Sequence, residues 1–223
     1  MRGLAVSRTY VRADSEIMVW SDLAGKRVAP GIPTSTAAFR CMTANKVLKT
    51  GAEIVHGSLA DGIRDLQIGR VDAVHKGGPW NNFDAALMAA HHSVKLRAIG
   101  FSKEQASKLS EQYPQFLLRL TPSGTIKAVP EHPALWEIYS IAGAHTSSRL
   151  PVDAGYKIIK AVCEHWDEIA QAYPGSKGFH PIKDYVKIVP EGMELPLHAG
   201  VVRYAKEVGI EIPKGFIPPE YKD

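Results

Sequence analysis

Cysteine is nearly absent, with two residues in 223, Cys41 and Cys163. Their separation matches neither a metal-ligand spacing nor a C-x-x-C redox pair, so both read as small core residues, with their pairing left open. No run of about eighteen apolar residues occurs, so no segment reads as a membrane-spanning helix and no direct membrane insertion is expected. The opening MRGLAVSRTYVRADS carries only a short, partly apolar run, too short for the core of an export signal. Positive charge is in mild excess, +4 with a pI of about 9.0, and Lys/Arg-rich stripes are lacking. That balance favours acidic solutes and argues against a nucleic-acid partner.

Catalytic signatures are missing as well. The nine histidines include the neighbours His91 and His92, which would point different ways, and no H-E-x-x-H brings two imidazoles together. No metal site is expected. There is no G-x-S-x-G elbow and no cysteine in a nucleophile setting. Asp61, Asp65 and Asp72 fall at helical or strand-edge positions, where a solvated carboxylate is the default. Without a phosphate loop or a G-x-G-x-x-G turn, no nucleotide or other cofactor is expected, and the chain reads as a non-enzyme.

What the chain does have is the stretch from Gly25 to Lys49, GKRV, APGIPTSTAA and FRCMTANKVLK. Lys26 to Ala29 reads as a short buried strand, Pro30 to Pro33 as a tight turn, and Thr34-Ser35-Thr36 as the hydroxyl-rich mouth of a helix that ends before Gly51. A helix entered this way presents free N–H groups beside several hydroxyls, with partial positive charge from its dipole. Such an end suits an anion, and a carboxylate better than a nucleotide. The plain alternative is that the hydroxyls only cap the helix.

Further along, AEIVHG and VDAVHK read as strands, separated by a helix capped by Ser58 and closed by Gly69. Alternating strands and helices at this spacing make a parallel sheet, with ligands beyond the carboxyl ends of its strands. The loop after VDAVHK is Gly77-Gly78-Pro79-Trp80-Asn81-Asn82. It is expected to share an edge with GIPTST: Gly77 and Gly78 admit a ligand close to the backbone, Trp80 offers an apolar wall, and Asn81 and Asn82 supply amide donors. Ordinary turn glycines and a packing tryptophan are the alternatives. LAVSRTYVR reads as a first strand, Asn82 to Ala90 as a helix, and KLRAIG as a strand. Ser102 to Gln105 forms a capping box for a helix through Gln112. Tyr113 to Pro133 is proline-rich and expected to be irregular, and EIYSIAG from Glu137 to Gly143 to be a strand. Val152, Tyr156, Ile159, Cys163, Trp166, Ala170 and Tyr173 recur at spacings of three or four, one core-facing side of a single long helix stopped by Pro174-Gly175. A last helix runs from about His198 to Val208.

Four segments together resemble a known family: VRADSEIMVWSDLAGKRVAPGIPTSTAA, GSLADGIRDLQIGRVDAV, LPVDAGYKIIKAVCEHWDEIAQAYPGSK and LPLHAGVVRYAKEVGI. In order and spacing they are similar to the TAXI group of solute receptors of tripartite ATP-independent periplasmic (TRAP) transporters. The resemblance implies an α/β, type II periplasmic-binding-protein architecture of two lobes with parallel or mixed sheets, closing on a small acidic solute such as glutamate, 2-oxoglutarate or a similar carboxylate or amino acid. It implies a periplasmic location, no reaction, and TRAP transporter membrane subunits as partners. Under it, 21–134 would be the second lobe, and 1–20 with 135–223 the remainder of an incomplete first lobe with its hinge segments. Thr34, Ser35 and Thr36 match the family's serine/threonine-glycine loop, and Gly77 and Gly78 fall near its other cleft loop. Trp80 and Asn81 join the candidate ligand-binding set from position alone. GIPTST departs from the commoner glycine-serine-glycine form, and Pro33 stiffens it. Two other readings stay open: a regulatory module on the same fold, and an α/β enzyme whose nearest candidate base is His75.

Overall fold

Strand β1 (Leu4–Arg12) is the axis of the larger of two units in the computed structural model, which describes residues 4–141, 144–147, 149–172, 177–189 and 195–222. Val6 to Val11 are all buried, so this strand is covered on both faces. A strand covered in this way is ordinarily a near-continuous apolar run, yet Ser7, Arg8 and Thr9 are among its buried residues, and each needs a polar partner inside.

Around β1 stands a seven-stranded mixed sheet. It contains β2 (Arg27–Ala29), β3 (Glu53–Ile54), β4 (Ala73–Pro79), β5 (Leu96–Ile99), β6 (Leu117–Thr121) and β7 (Leu135–Ile141). The main order is β3-β2-β4-β1-β7-β6, and β5 also pairs with β1. Strands β2, β3 and β4 are parallel, as the alternation of strands and helices predicts. β1 runs antiparallel to β4, from Ala5↔Pro79 to Val11↔Ala73, and antiparallel to β5. The α/β class is as expected, and the antiparallel strand in its middle makes the sheet mixed.

Helices cover both faces. On one, α1 (Thr36–Leu48) and α4 (Lys103–Gln112) pack with Trp20 over Val11, Val28 and Ala73. On the other, α2 (Leu59–Gln67) and α3 (Ala85–Ser93) pack over Tyr10, Ala29 and Val74. The split follows from the two-residue period of a strand, since 73 and 74 point to opposite faces. Local signals set the helix ends. Ser35, Ser58, Asp84 and Ser102 each accept a backbone N–H three residues on, and Ser102 with Gln105 forms the expected capping box. α1 closes at Lys49 in the left-handed region, φ 52°.

Several expectations are corrected. Contacts divide the chain between Ser140 and Ile141, so residues 4–20 and 135–140 belong with 21–134 and not with the C-terminal part. The reason is the ladder: β1 pairs with β4 and β5, and β7 pairs with β6. The stretch 113–133 is not wholly irregular, because LLRLT between Pro114 and Pro122 forms β6 on β7. α3 begins at Ala85 because Asp84, not Asn82, is its cap.

The second unit, from Ile141 onward, is helical among the described residues, with α5 (Val152–Glu164), α6 (Trp166–Ala172), α7 (Tyr185–Ile188) and α8 (Ala199–Glu207). The single long helix expected over 152–173 is two, broken at His165. Tyr173, Pro174 and Gly175 lie outside the described residues, as do Ala142 and Gly143. Tyr156, Ile159 and Cys163 are partly buried against Ile182, Tyr204 and Ala205, while Val152 is exposed. α5 and α8 meet at Gly155 and Gly200. A Cβ on Gly200 would run into the backbone of Val152 and Tyr156, and one on Gly155 into the ring of His198. His198 caps α8 through Nδ1, which accepts the Gly200 N–H at 3.2 Å, and its Nε2 lies 2.9 Å from the Leu150 carbonyl. The glycines allow the close crossing and the histidine joins both helices. Both cysteines are free, and burial pushes the Cys41 thiol up to about 12. No helix among the described residues is long and apolar enough to cross a membrane.

Candidate functional site

Strands β2 and β4 are parallel with Ala29 beside Val74, so the turn after Ala29 leaves the sheet in the same direction as the segment after Pro79, but five residues earlier along β4. The first is shaped by Gly31, whose φ of +93° is a conformation glycine adopts freely. A Cβ there would also press on Leu59. The turn delivers Ser35 as the cap of α1. Its Oγ accepts the Ala38 N–H at 3.1 Å, and the Phe39 N–H reaches the Ser35 carbonyl. The Ser35 hydroxyl is therefore occupied by capping. Thr34 and Thr36 are exposed, and the first N–H groups of α1, on Thr36 and Ala37, lie ahead of any intrahelical acceptor.

Gly77 and Gly78 are not loop residues. They lie inside β4, paired with Ser7 and Val6, and neither has a positive φ. β1 extends the ladder past the point where VDAVHK by itself would end, which is why an expected turn is a strand. The two glycines belong to opposite faces. Gly78 faces the Tyr10 hydroxyl and Asp84, whereas Gly77, in step with Ala73 and His75, lies on the α1 face.

Across that α1 face the polarity changes in steps. Val11 opposite Ala73 is apolar core; Thr9 opposite His75 is a buried polar pair, with Oγ1 to Nδ1 at 2.8 Å; Ser7 opposite Gly77 carries the Arg40 guanidinium, whose Nη1 donates to its Oγ at 2.8 Å. Arg40 reaches this position from the second turn of α1 and is half-buried. No carboxylate partners it among the described residues. Burial lowers its pKa. His75 is 1% exposed, and burial, followed by the charge of Arg40, pushes its imidazole down to about 3. The ring is neutral at any ordinary pH, and its Nε2 is buried without a hydrogen-bond partner.

The opposite face at this edge holds charge that is compensated. Arg8 donates from Nε and Nη2 to both oxygens of Glu137, and from Nη2 to the Trp80 carbonyl at 3.0 Å. Thr121 donates to Glu137 and contacts the Tyr139 hydroxyl. Burial would depress the Arg8 guanidinium, but Tyr10, Glu137 and Tyr139 together hold it above its ordinary value. Burial pushes the Tyr10 phenol up to about 12. Lys76 is buried against Asp84, which also caps α3. These ties, with the Lys127 N–H on the Asn81 carbonyl at 3.1 Å, pin the segment carrying Trp80 and Asn81.

The expected set is therefore split. Thr34, Ser35, Thr36 and Gly77 lie on the α1 side of the edge, while Gly78, Trp80 and Asn81 go with the opposite face. Sequence reasoning missed Ser7, Thr9 and Arg40. A signal existed, because alternate positions 7, 9 and 11 place two hydroxyls on the same face as the valine that packs against α1. Nothing among the described residues forms a cluster that could hold a metal ion.

Solved structures similar to this chain include an ancestral arginine-binding protein bound to arginine, with 17% identity over 76% of this chain and 60% of that one, TM-score 0.43. A structure concerning glutathione import in Gram-positive bacteria via GshT and the cystine ABC importer TcyBC of Streptococcus mutans matches with 16% identity over 82% and 63%, TM-score 0.45. A probable amino-acid ABC transporter extracellular-binding protein of Bacillus subtilis matches with 15% identity over 78% and 62%, TM-score 0.42. The chain spans about three fifths of the length of these structures. Over residues 5–209, nearly its whole length, it matches the NMT1-like family, and it belongs to that family.

Proposed function

We propose that this chain is the binding part of an extracytoplasmic solute receptor for a small acidic metabolite, glutamate, 2-oxoglutarate or a similar carboxylate, and that it delivers the solute to TRAP transporter membrane subunits in the periplasm. Membership of the NMT1-like family and the four-segment resemblance to TAXI receptors support the receptor reading. The observation that carries the acidic ligand is the mouth of α1. It opens at the carboxyl end of β2, its cap is already satisfied by Ser35, and its first N–H groups and the exposed Thr34 and Thr36 hydroxyls remain for a ligand. An enzyme on the same edge would need a base poised near neutral pH. His75, the candidate, is closed to solvent and stays unprotonated down to about pH 3, which favours binding over chemistry.

The test is calorimetric titration of glutamate and 2-oxoglutarate into the protein and a Thr34→Ala, Thr36→Ala variant. Both side chains are exposed and neither caps the helix, so the thermal melt should not move. Each charge-assisted hydrogen bond lost should cost about 1.5–3 kcal/mol, about a tenfold to hundredfold loss of affinity. Unchanged affinity would move the ligand away from this mouth, and failure of the protein to bind either acid would overturn the acidic-ligand reading.

A further inference from the structure

One helix of this chain is capped by a group that titrates near neutral pH. In the Leu4–Ser140 unit the caps of α1, α2, α3 and α4 are Ser35, Ser58, Asp84 and Ser102, whose oxygens stay acceptors across the neutral range. In the second unit the cap of α8 is His198. Its Nδ1 accepts the Gly200 N–H at 3.2 Å, which needs a lone pair on that nitrogen. Its Nε2 lies 2.9 Å from the Leu150 carbonyl, which needs a hydrogen on the other. Both contacts call for one species, the neutral ring with its proton on Nε2.

The ring sits inside the α5–α8 crossing. A Cβ on Gly155 would run into its Nδ1 and Cε1, so it rests against the bare backbone of α5 and cannot swing aside in that direction. A second proton, on Nδ1, would set a donor against the Gly200 N–H and a positive charge at the N-terminus of α8, where the helix dipole opposes it. The charged groups on the elements packed around the ring are Arg149 before α5, Asp153, Lys157, Lys160 and Glu164 on α5, Arg203, Lys206 and Glu207 on α8, and Lys214 on the turn beside Leu197. The acids among them are engaged: Asp153 holds Arg203 at 2.7 Å, Glu207 takes the Tyr156 hydroxyl at 2.6 Å, and Lys160 lies between Glu207 and Glu164. Among the described residues no carboxylate pairs with His198 to favour its protonated form.

We infer that His198 is a proton-sensitive latch between α5 and α8, closed by the neutral ring and released by acid. It belongs to the 141–223 unit and is separate from the mouth of α1. Opening the crossing frees the ring into water, where a histidine titrates at about 6.5. The open form then binds a proton that the closed form cannot take without losing its cap, so the closed form is favoured as pH rises and loses ground as pH falls through that value. At pH 5.5 about ten in eleven open rings carry the proton, so the open population rises about tenfold over its value at pH 7.5.

The experiment uses the whole protein, with amide hydrogen exchange of α5 and α8 read by NMR at pH 7.5 and pH 5.5 and corrected for the intrinsic effect of pH on exchange. The long-range nitrogen spectrum at pH 7.5 should show His198 as the neutral Nε2–H tautomer. The opening constant should rise on acidification, and the rise should exceed by about tenfold that of a His198→Asn variant, whose amide oxygen can cap Gly200 but does not titrate. His145, His165 and His180, the other histidines of this unit, are common to both proteins and cancel in that comparison. An equal rise in both proteins would overturn the latch, as would an Nδ1–H tautomer at pH 7.5. The native protein decides alone if the variant does not fold: a ring that gains its proton while the Gly200 amide shift and α8 exchange stay as they were would refute the inference, and a change of all three together would support it.

Discussion

Replacing His75 with asparagine should remove a pH dependence of stability whose size can be worked out. In the folded chain the imidazole is pushed from 6.5 down to about 3, chiefly by burial and then by Arg40. Unfolding returns it to water and to its ordinary value. Between those two values the unfolded chain holds a proton that the folded one does not, so stability rises with pH through that window. The contribution is fully present above about pH 6.5 and is lost as pH falls toward about 3. A difference of three to four units corresponds to about 5 kcal/mol in all, and about 2 kcal/mol of it disappears between about pH 6.5 and pH 4.5. Carboxylates titrate over the same range, but they are common to both proteins and cancel in the difference. Urea unfolding should be followed by tryptophan fluorescence in a Trp166→Phe background. The remaining Trp20, Trp80 and Trp136 then all report on the Leu4–Ser140 unit. The gap between parent and His75→Asn should shrink by about 2 kcal/mol over that interval and be flat above neutrality. A gap that does not change with pH would mean an ordinary histidine in contact with water, and would refute the burial that keeps this ring neutral.

Glu137→Gln should destabilise the protein by about 3–5 kcal/mol in chemical denaturation, since it leaves Arg8 buried without its counter-charge. The double change Arg8→Met, Glu137→Met should recover most of that loss, and a single change costing no more than an exposed one would show that the pair is not buried as described. Gly200→Ala should destabilise the 141–223 unit by at least about 2 kcal/mol, read as faster amide exchange in α5 and α8, because its Cβ would meet backbone rather than a movable side chain. Gly57→Ala, which has open space around it, is the control and should stay within about 0.5 kcal/mol.

The elements easiest to read from sequence were those whose ends are set locally. Ser102 and Gln105 form a box across four residues, and Ser58 and Gly69 bracket α2, so the boundaries of α4 and α2 follow from chemistry within one turn. β6 was missed for the opposite reason. LLRLT lies between prolines, and only its distant partner β7, at Leu117↔Tyr139 to Thr121↔Leu135, makes it a strand. The same non-local cause turned Gly77 and Gly78 from a loop into strand: their partners Ser7 and Val6 are about seventy residues away. The 152–173 face has helical periodicity, but periodicity does not show that His165 breaks the helix.

The split of the candidate site has one physical origin. Thr34 to Thr36 were legible because a cap is local, and Trp80 and Asn81 because paired glycines beside an aromatic draw attention. Nothing in that reasoning says which face of the sheet each segment takes. That depends on strand parity: Gly77 shares a face with His75 and Ala73, and Gly78 with Lys76 and Val74. Parity also decides which cations find carboxylates. Arg8 and Lys76 point to the face where β7 and the cap of α3 bring Glu137 and Asp84, and they are neutralised there. Ser7 points the other way and meets Arg40, whose helix brings hydroxyls and N–H groups but no acid. Among the described residues the Arg40 guanidinium is thus left without a carboxylate of its own. Moving an acid onto that side tests the account directly. Ala37→Glu, on the first turn of α1, should weaken binding of glutamate and 2-oxoglutarate, because it sets a negative charge beside the N–H groups at the mouth of the helix. Undiminished affinity for both acids in that variant would place the anion elsewhere.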